Sequence, residues 1–152
     1  MSSLLMNTTT IASAPAAASS LQIKCEAELR RILEKHPSIF FISLASVDGR
    51  SFAHVHGVPR SDGQRIAAMT SSLLGLSESY AREACQSRCR YSVIAAETGS
   101  VVTVRIPTKS LRFALAIGAT DMENLATVLR AALDGAAALA RLLEQPVTST
   151  LS

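Results

Sequence analysis

A nearly unbroken apolar run, followed at once by a tight-turn signal, constrains the fold of this chain more than any other feature. Residues 39–47 read IFFISLASV, and Asp48-Gly49 comes directly after them. A short apolar run of this kind is typical of a strand buried on both faces, and an Asp-Gly pair is a strong β-hairpin signal. We therefore predict a buried strand at residues 39–47, with residues 51–55 returning beside it as the hairpin partner.

One helix is predicted before this hairpin and another after it. Apolar residues recur at helical spacing from Leu21 to Leu33, with Ser20 as a plausible N-cap. After the hairpin, residues 61–63 open a second helix that runs to about Gln86. Its expected core stripe, spaced by threes and fours, consists of Ile66, Met69, Leu73, Leu76, Tyr80 and Ala84.

Three more strands and a third helix complete the predicted order α-β-β-α-β-β-β-α. The strands are expected at residues 91–97, 101–106 and about 111–118, and their short links make neighbours antiparallel. Thr120, with Glu123 three residues later, has the form of a capping box that starts the third helix. The expected fold class is α+β, with one five-stranded antiparallel sheet and helices on its faces. Small residues on one face of the last strand would allow a helix to approach closely: Ala114, Ala116 and Gly118.

The length and composition suit a single folded domain. The chain has 152 residues, of which 48% are hydrophobic and 18% charged. We place the domain at residues 21–144, between a flexible N-terminal tail at 1–20 and a C-terminal tail at 145–152. The N-terminal segment is uncharged and lacks the basic region of a signal peptide. No stretch is long enough for a membrane span, and three cysteines cannot all pair within one chain, which favours the reducing cytoplasm.

The charge balance gives little support to nucleic-acid binding. The net charge is only +3, and four Phe and two Tyr offer little stacking surface. Basic residues nevertheless outnumber acidic ones late in the chain. The basic residues are Arg82, Arg88, Arg90, Arg105, Lys109 and Arg112, and the acidic residues among them are Glu83 and Glu97. These basic residues form either a docking patch for an acidic partner or a solvated rim that keeps the protein soluble.

No set of residues indicates catalysis, a cofactor or a metal. Phosphate-binding glycine loops and the nucleophile-elbow pattern are absent. His54 and His56, and Cys85 and Cys89, have spacings that occur in metal sites, but paired Cys-x-x-Cys knuckles are missing. If these residues bind no metal, Cys85 is expected to be a buried or half-buried thiol, and the two histidines are expected to be surface imidazoles on an edge strand. A thiol enzyme using Cys85 or Cys89 remains a rival hypothesis, and it would need a depressed thiol pKa in a cleft.

The back of the second helix is unusual because it carries small residues instead of Lys and Glu. Small residues would let another helix pack closely, whereas the alternative is a merely bland surface. The strip comprises Ala68, Ser72, Gly75 and Ser79. Strand 3 should be a sheet edge, and edges are usually covered or paired. Both features favour a homodimer.

The succession of elements and several local sequences resemble the roadblock family, which includes the dynein light chains of that name and the bacterial MglB-type regulators. The resemblance covers about residues 21–143. It rests on His36-Pro37, on Val47 to Arg50, on Arg65-Ile66-Ala67, on Thr98 to Val102 and on Leu115 to Gly118. The resemblance implies a profilin-like domain. It also implies a homodimer in which helix 2 and strand 3 meet their symmetry mates, and a non-enzymatic role in regulating or scaffolding a small Ras-like GTPase.

From this resemblance and the small-residue strip we predict two contact surfaces. The dimer interface is expected at Ala68, Ser72, Gly75, Ser79 and Tyr91. Contacts with the GTPase are expected at Gln64, Arg65, Ala68 and Ser72. The uncharged N-terminal segment and the histidine-bearing residues 53–60 are not part of the family pattern. The alternative function is a PAS/GAF-like sensory or ligand-binding module, which would require a sizeable apolar pocket with converging polar groups.

Overall fold

Eight elements follow one another in the predicted order in a computed structural model, which describes residues 16–57 and 61–146. They are α1 (Ala16–Lys35), β1 (Ile39–Ser46), β2 (Ser51–His56), α2 (Gly63–Cys85), β3 (Ser92–Ala95), β4 (Gly99–Arg105), β5 (Phe113–Thr120) and α3 (Leu125–Leu143). The predicted α+β class is confirmed. Residues 1–15 and 147–152, which belong to the two expected tails, lie outside the described part.

The strands form one antiparallel sheet in the order β2-β1-β5-β4-β3. The buried β1 and β5 lie at its centre, and β2 and β3 are its two edges. The predicted hairpin joins β1 to β2. Gly49 has the positive φ of 89° that this turn requires, and its N–H donates to the Ser46 carbonyl oxygen at 3.0 Å.

The main core lies between the sheet and the pair of helices α1 and α3. Large side chains such as Ile42, Leu115 and Ile117 alternate along the strands and pack with Leu29 and Leu139 of the helices. The residues between them face α2 on the opposite side of the sheet, and most are small. They include Ser43, Ala45, Thr103, Ala114 and Ala116. Of the small face predicted for the last strand, Ala114 and Ala116 therefore lie under a helix, as expected, whereas Gly118 is covered by the Phe41 ring of β1.

The predicted core stripe of α2 is wrong. The buried residues of α2 are Ala67, Thr70 and Leu74. Of the larger apolar residues in the predicted stripe, Ile66 and Leu73 are half-buried, and Met69, Leu76 and Tyr80 are exposed. The reason lies in the sheet, because a surface of Ala, Ser and Gly accepts a helix only at close range, where small side chains fit best. The apolar residues do recur at helical spacing, as predicted, but they do not form the side of α2 that packs on the sheet.

Two predicted caps are also wrong. Asn124, not Thr120, caps α3, and its side-chain oxygen accepts from the Ala126 N–H at 2.8 Å. Residues 120–123 form a turn before the helix, with the Glu123 N–H donating to the Thr120 carbonyl oxygen at 3.2 Å. At the other end of the chain, α1 begins at Ala16, so Ser20 lies inside the helix, and residues 16–20 are helical rather than part of the tail.

None of the helices in residues 16–57 and 61–146 has the length and apolarity that a membrane crossing requires.

Candidate interaction surface on helix α2

The first turn of α2 is fixed to the β1–β2 hairpin. Asp62 caps the helix, and its carboxylate accepts from the N–H groups of Gln64 and Arg65 at 3.0 and 3.3 Å. The Gln64 amide reaches the hairpin: its oxygen accepts from the Ser51 N–H at 3.2 Å, and its nitrogen donates to the Gly49 carbonyl oxygen at 2.9 Å. Gln64, a predicted partner contact, is thus engaged within its own chain, whereas Arg65 is exposed.

The rest of α2 is held over the sheet by polar contacts on its inner side. The Ser71 hydroxyl donates to the Val47 carbonyl oxygen, and the Arg105 guanidinium of β4 donates through Nε to Glu78 Oε1 at 3.1 Å. The helix ends at Gln86, whose φ of 51° is left-handed and whose N–H donates to the Arg82 carbonyl oxygen. These contacts fix which side of α2 faces outward.

An exposed apolar flank runs along α2. We use this name for Met69, Leu73, Leu76 and Tyr80, which recur at helical spacing. Met69, Leu76 and Tyr80 are 58%, 68% and 73% exposed, and Leu73 is half-buried. Aligned large apolar side chains at such exposure mark an interaction site on a protein surface.

The edge strand β3 adds an apolar residue on the same side of the sheet. Ile94 lies opposite Val101 in the register, and Val101 shares a face of β4 with Arg105, which bonds Glu78 of α2. Ile94 is exposed, and β3 has a neighbour on one side only. The surface therefore combines an unpaired strand edge with apolar side chains.

The predicted dimer residues of α2 form a second exposed strip beside the apolar flank. Ala68, Ser72, Gly75 and Ser79 are all exposed, and a Cβ added at Gly75 would meet nothing within 4 Å. Tyr91 is exposed just before β3. The structure therefore leaves every residue of both predicted contact surfaces at least partly accessible. The sequence pattern does not reveal the apolar flank as a surface, because apolar residues at helical spacing predict a core stripe.

The two histidines of β2 have different surroundings. His54 is half-buried: its Nε2 is 2.9 Å from the Ser61 hydroxyl, and its ring stacks on Phe41 at 6.0 Å between centroids. Burial lowers the pKa of His54, the nearby His56 lowers it further, and Asp62 acts in the opposite direction. His56, at the end of β2, is exposed. The alternative of surface imidazoles therefore holds for His56 and is wrong for His54, which packs against the start of α2.

The cysteines do not converge on one site. Cys85 is exposed at the end of α2, so the expectation of a buried or half-buried thiol there is wrong. The Cys89 thiol donates to the Tyr91 carbonyl oxygen at 3.4 Å, and Cys25 is buried in the core, where burial raises its pKa to about 11. Within the part of the chain that the structure describes, no three His, Cys, Asp or Glu residues are grouped to hold a metal ion.

Comparison with known proteins places this fold among roadblock domains. A solved structure described as MglB with tetrameric arrangement is 17% identical, with a TM-score of 0.72, covering 81% of this chain and 90% of that one. MglB of Myxococcus xanthus is 15% identical, with a TM-score of 0.69 and the same coverage. The Roadblock/LC7 domain from Streptomyces avermitilis is 16% identical, with a TM-score of 0.70, covering 79% and 98%.

At these identities the structural likeness shows the fold alone. None of the curated protein sequences matches the chain significantly. The family model described as Roadblock/LC7 domain matches residues 26–111, which is more than half of the 152 residues. The chain belongs to the Roadblock/LC7 domain family.

Proposed function

We propose that this protein is a dimeric, non-enzymatic regulator or scaffold of a small Ras-like GTPase system. Family membership supports the proposal, because the roadblock family includes MglB-type regulators. The observation that carries it is the apolar flank of α2, which is an exposed surface suited to binding another protein.

The first expected occupant of this flank is a second copy of the chain. A two-fold contact between the two α2 helices would bury Met69, Leu76 and Tyr80 against their counterparts, and it would bring the β3 edges together. The small-residue strip at Ala68, Ser72, Gly75 and Ser79, which lies beside the apolar flank, would form the neighbouring part of this contact, and Tyr91 would lie beside the paired β3 edges. One solved structure with this fold is described as tetrameric, which supports self-association as a property of the fold.

The GTPase contact is expected at the N-terminal half of α2. Of the predicted residues, Arg65, Ala68 and Ser72 are exposed in the single chain, and Ala68 and Ser72 are shared with the expected dimer contact, so Arg65 is the residue left to the partner alone. Gln64 is exposed too, but its amide bonds the hairpin, so we assign it the role of holding this half of the helix in place. In a two-fold dimer, two copies of this surface would lie on one assembly.

A nucleotide-dependent pull-down tests this function. The full chain is immobilised, and lysate from its own source is passed over it with GDP or with a non-hydrolysable GTP analogue. We expect mass spectrometry to identify a Ras-like GTPase that is enriched in one nucleotide state and lost with Arg65→Glu. The matched control is Arg130→Glu on α3, also exposed, which should retain the GTPase. Recovery of no GTPase in either state would contradict the proposal.

The sensory alternative gains no specific support from the described residues. The concavity at the end of α2, of about 670 Å³, is lined mainly by charged and polar side chains rather than apolar ones. Retention of a small metabolite without any GTPase in the same pull-down would favour that alternative instead.

A further inference from the structure

The concavity at the C-terminal end of α2 has a chemistry that the proposed function does not use. It lies between the last turns of α2, the segment that follows, and the loop after β4, with a volume of about 670 Å³. We call it the arginine groove. Its basic side chains are Arg82, Arg88, Arg90 and Arg105, its single acid is Glu78, and its apolar side chains are Pro107 and Leu111.

Within residues 16–57 and 61–146, Arg105 is the one arginine of the groove that has an acidic partner. Arg105 pairs with Glu78 and also donates to the Leu111 carbonyl oxygen, so it forms part of the structure of the groove. Arg82, Arg88 and Arg90 are exposed, and none has a carboxylate within 4.0 Å among the described residues. Three uncompensated positive charges around one concavity attract anionic groups.

The exposed arginines of α1, unlike Arg82, Arg88 and Arg90, have acidic partners. Arg30 pairs with Glu26 at 3.1 Å, and Arg31 pairs with Glu28 one turn away. Arg130 and Arg141 of α3 are exposed and, like the groove arginines, have no carboxylate within 4.0 Å among the described residues. The groove differs from α3 in that three such arginines line one concavity, whose acid Glu78 is already engaged by Arg105.

The segment that carries Arg88 and Arg90 is held in a defined conformation. Gln86 adopts the left-handed conformation that ends α2, and the Ser87 N–H donates back to the Ala81 carbonyl oxygen at 3.5 Å. The Cys89 thiol, which lies between the two arginines, donates to the Tyr91 carbonyl oxygen. A fixed backbone presents the guanidinium groups with less ordering cost on binding.

The groove also exposes an apolar residue in a restrained conformation. Leu111 is exposed although it is large and apolar, and its φ of 52° lies in the left-handed region that a leucine rarely adopts. Its N–H donates to the Thr108 carbonyl oxygen at 3.2 Å, which helps hold the loop. Charged and apolar contacts are therefore available side by side.

We propose that the arginine groove binds an acidic peptide segment of a partner protein. Carboxylates of the segment pair with Arg82, Arg88 and Arg90, and an apolar side chain between them packs on Leu111. A peptide fits better than a single small anion, because the arginines surround a concavity far larger than one phosphate group. Arg82 is about 25 Å along α2 from Arg65 at 1.5 Å per residue, so within one copy of the chain this site and the proposed GTPase contact do not overlap.

Fluorescence anisotropy with the full chain tests the proposal. The probe is a fluorescein-labelled peptide of glutamate pairs separated by leucines, at low ionic strength. Combined Arg82→Gln, Arg88→Gln and Arg90→Gln should weaken binding by about tenfold or more. The control combines Arg112→Gln, Arg130→Gln and Arg141→Gln, which are also exposed and remove the same charge, and it should weaken binding by less than about twofold. Leu111→Ser should weaken binding by about threefold.

Three results would overturn the proposal. Equal weakening by the two triple variants would show only general attraction to a basic protein. Displacement of the probe by inorganic phosphate, at an ionic strength where sodium chloride does not displace it, would show a small-anion site. A groove variant that stays folded by circular dichroism but changes its molar mass would show that the groove belongs to a contact between copies of the chain.

Discussion

Gly63 and His54 lie so close together that a Cβ on Gly63 would stand 2.9 Å from Cγ of His54. Gly63 is the first residue of α2, and His54 lies on the edge strand β2, so the helix and the sheet are in close contact at this point. The ring cannot simply turn away, because Ser61 and Phe41 hold it on two sides.

Gly63→Ala should therefore destabilise the protein. We expect a loss of about 1–2 kcal/mol in the free energy of unfolding, measured with urea, because the added methyl overpacks this contact. Gly75→Ala is the matched control: it also lies in α2, but its Cβ would meet no atom within 4 Å. Removing a mid-helix glycine there should raise the stability by up to about 1 kcal/mol. Equal stability of the two variants would show that the contact with His54 has no consequence.

The buried position of His54 should make stability depend on pH. Burial holds the pKa of His54 below its ordinary value of 6.5, so the unfolded chain takes up a proton at higher pH than the folded chain. The stability contribution of neutral His54 is complete above pH 6.5 and is lost as the pH falls below that value. Urea unfolding between about pH 7.5 and 5.5 should show a steeper loss for the wild type than for His54→Gln. The same loss of stability with falling pH in both proteins would contradict a role for neutral His54.

Thiol labelling should separate the cysteines by their surroundings. Cys25 is fully buried, and the pKa of about 11 keeps its thiol protonated at neutral pH. In the native protein we expect iodoacetamide to modify the exposed Cys85 and to spare Cys25 until urea is added. Peptide mass spectrometry gives the site and rate of labelling. Rapid modification of Cys25 without urea would mean that the core beneath α1 opens readily.

The limits of α2 could be predicted from the sequence, but its rotation could not. Asp62 before the helix and Gln86 after it are close to the predicted ends, because capping is a local property of the chain. Which stripe meets the sheet depends on the opposite surface. Ala114 and Ala116 of β5 leave room for Ala67 and Thr70 rather than for larger side chains, and no local pattern in α2 contains that information.

The same limit applies to the candidate surface on α2. The sequence correctly predicts that the small-residue strip containing Ser72 and Gly75 faces away from the core. Apolar periodicity, which is ordinarily a core signal, wrongly places Leu76 and Tyr80 in the core. In α3 the Thr120 and Glu123 pair matched a capping box, yet the neighbouring Asn124 makes the actual cap, since several capping residues lie within one turn.

Light scattering at micromolar concentration tests whether the protein self-associates through α2. Leu76→Asp places a charge in the apolar flank, and Ile23→Asp is a matched control on α1, because the two residues are 68% and 64% exposed. We expect twice 16.1 kDa for the wild type and Ile23→Asp, and 16.1 kDa for Leu76→Asp. A wild type of 16.1 kDa, or a Leu76→Asp variant that remains dimeric, would contradict self-association through α2.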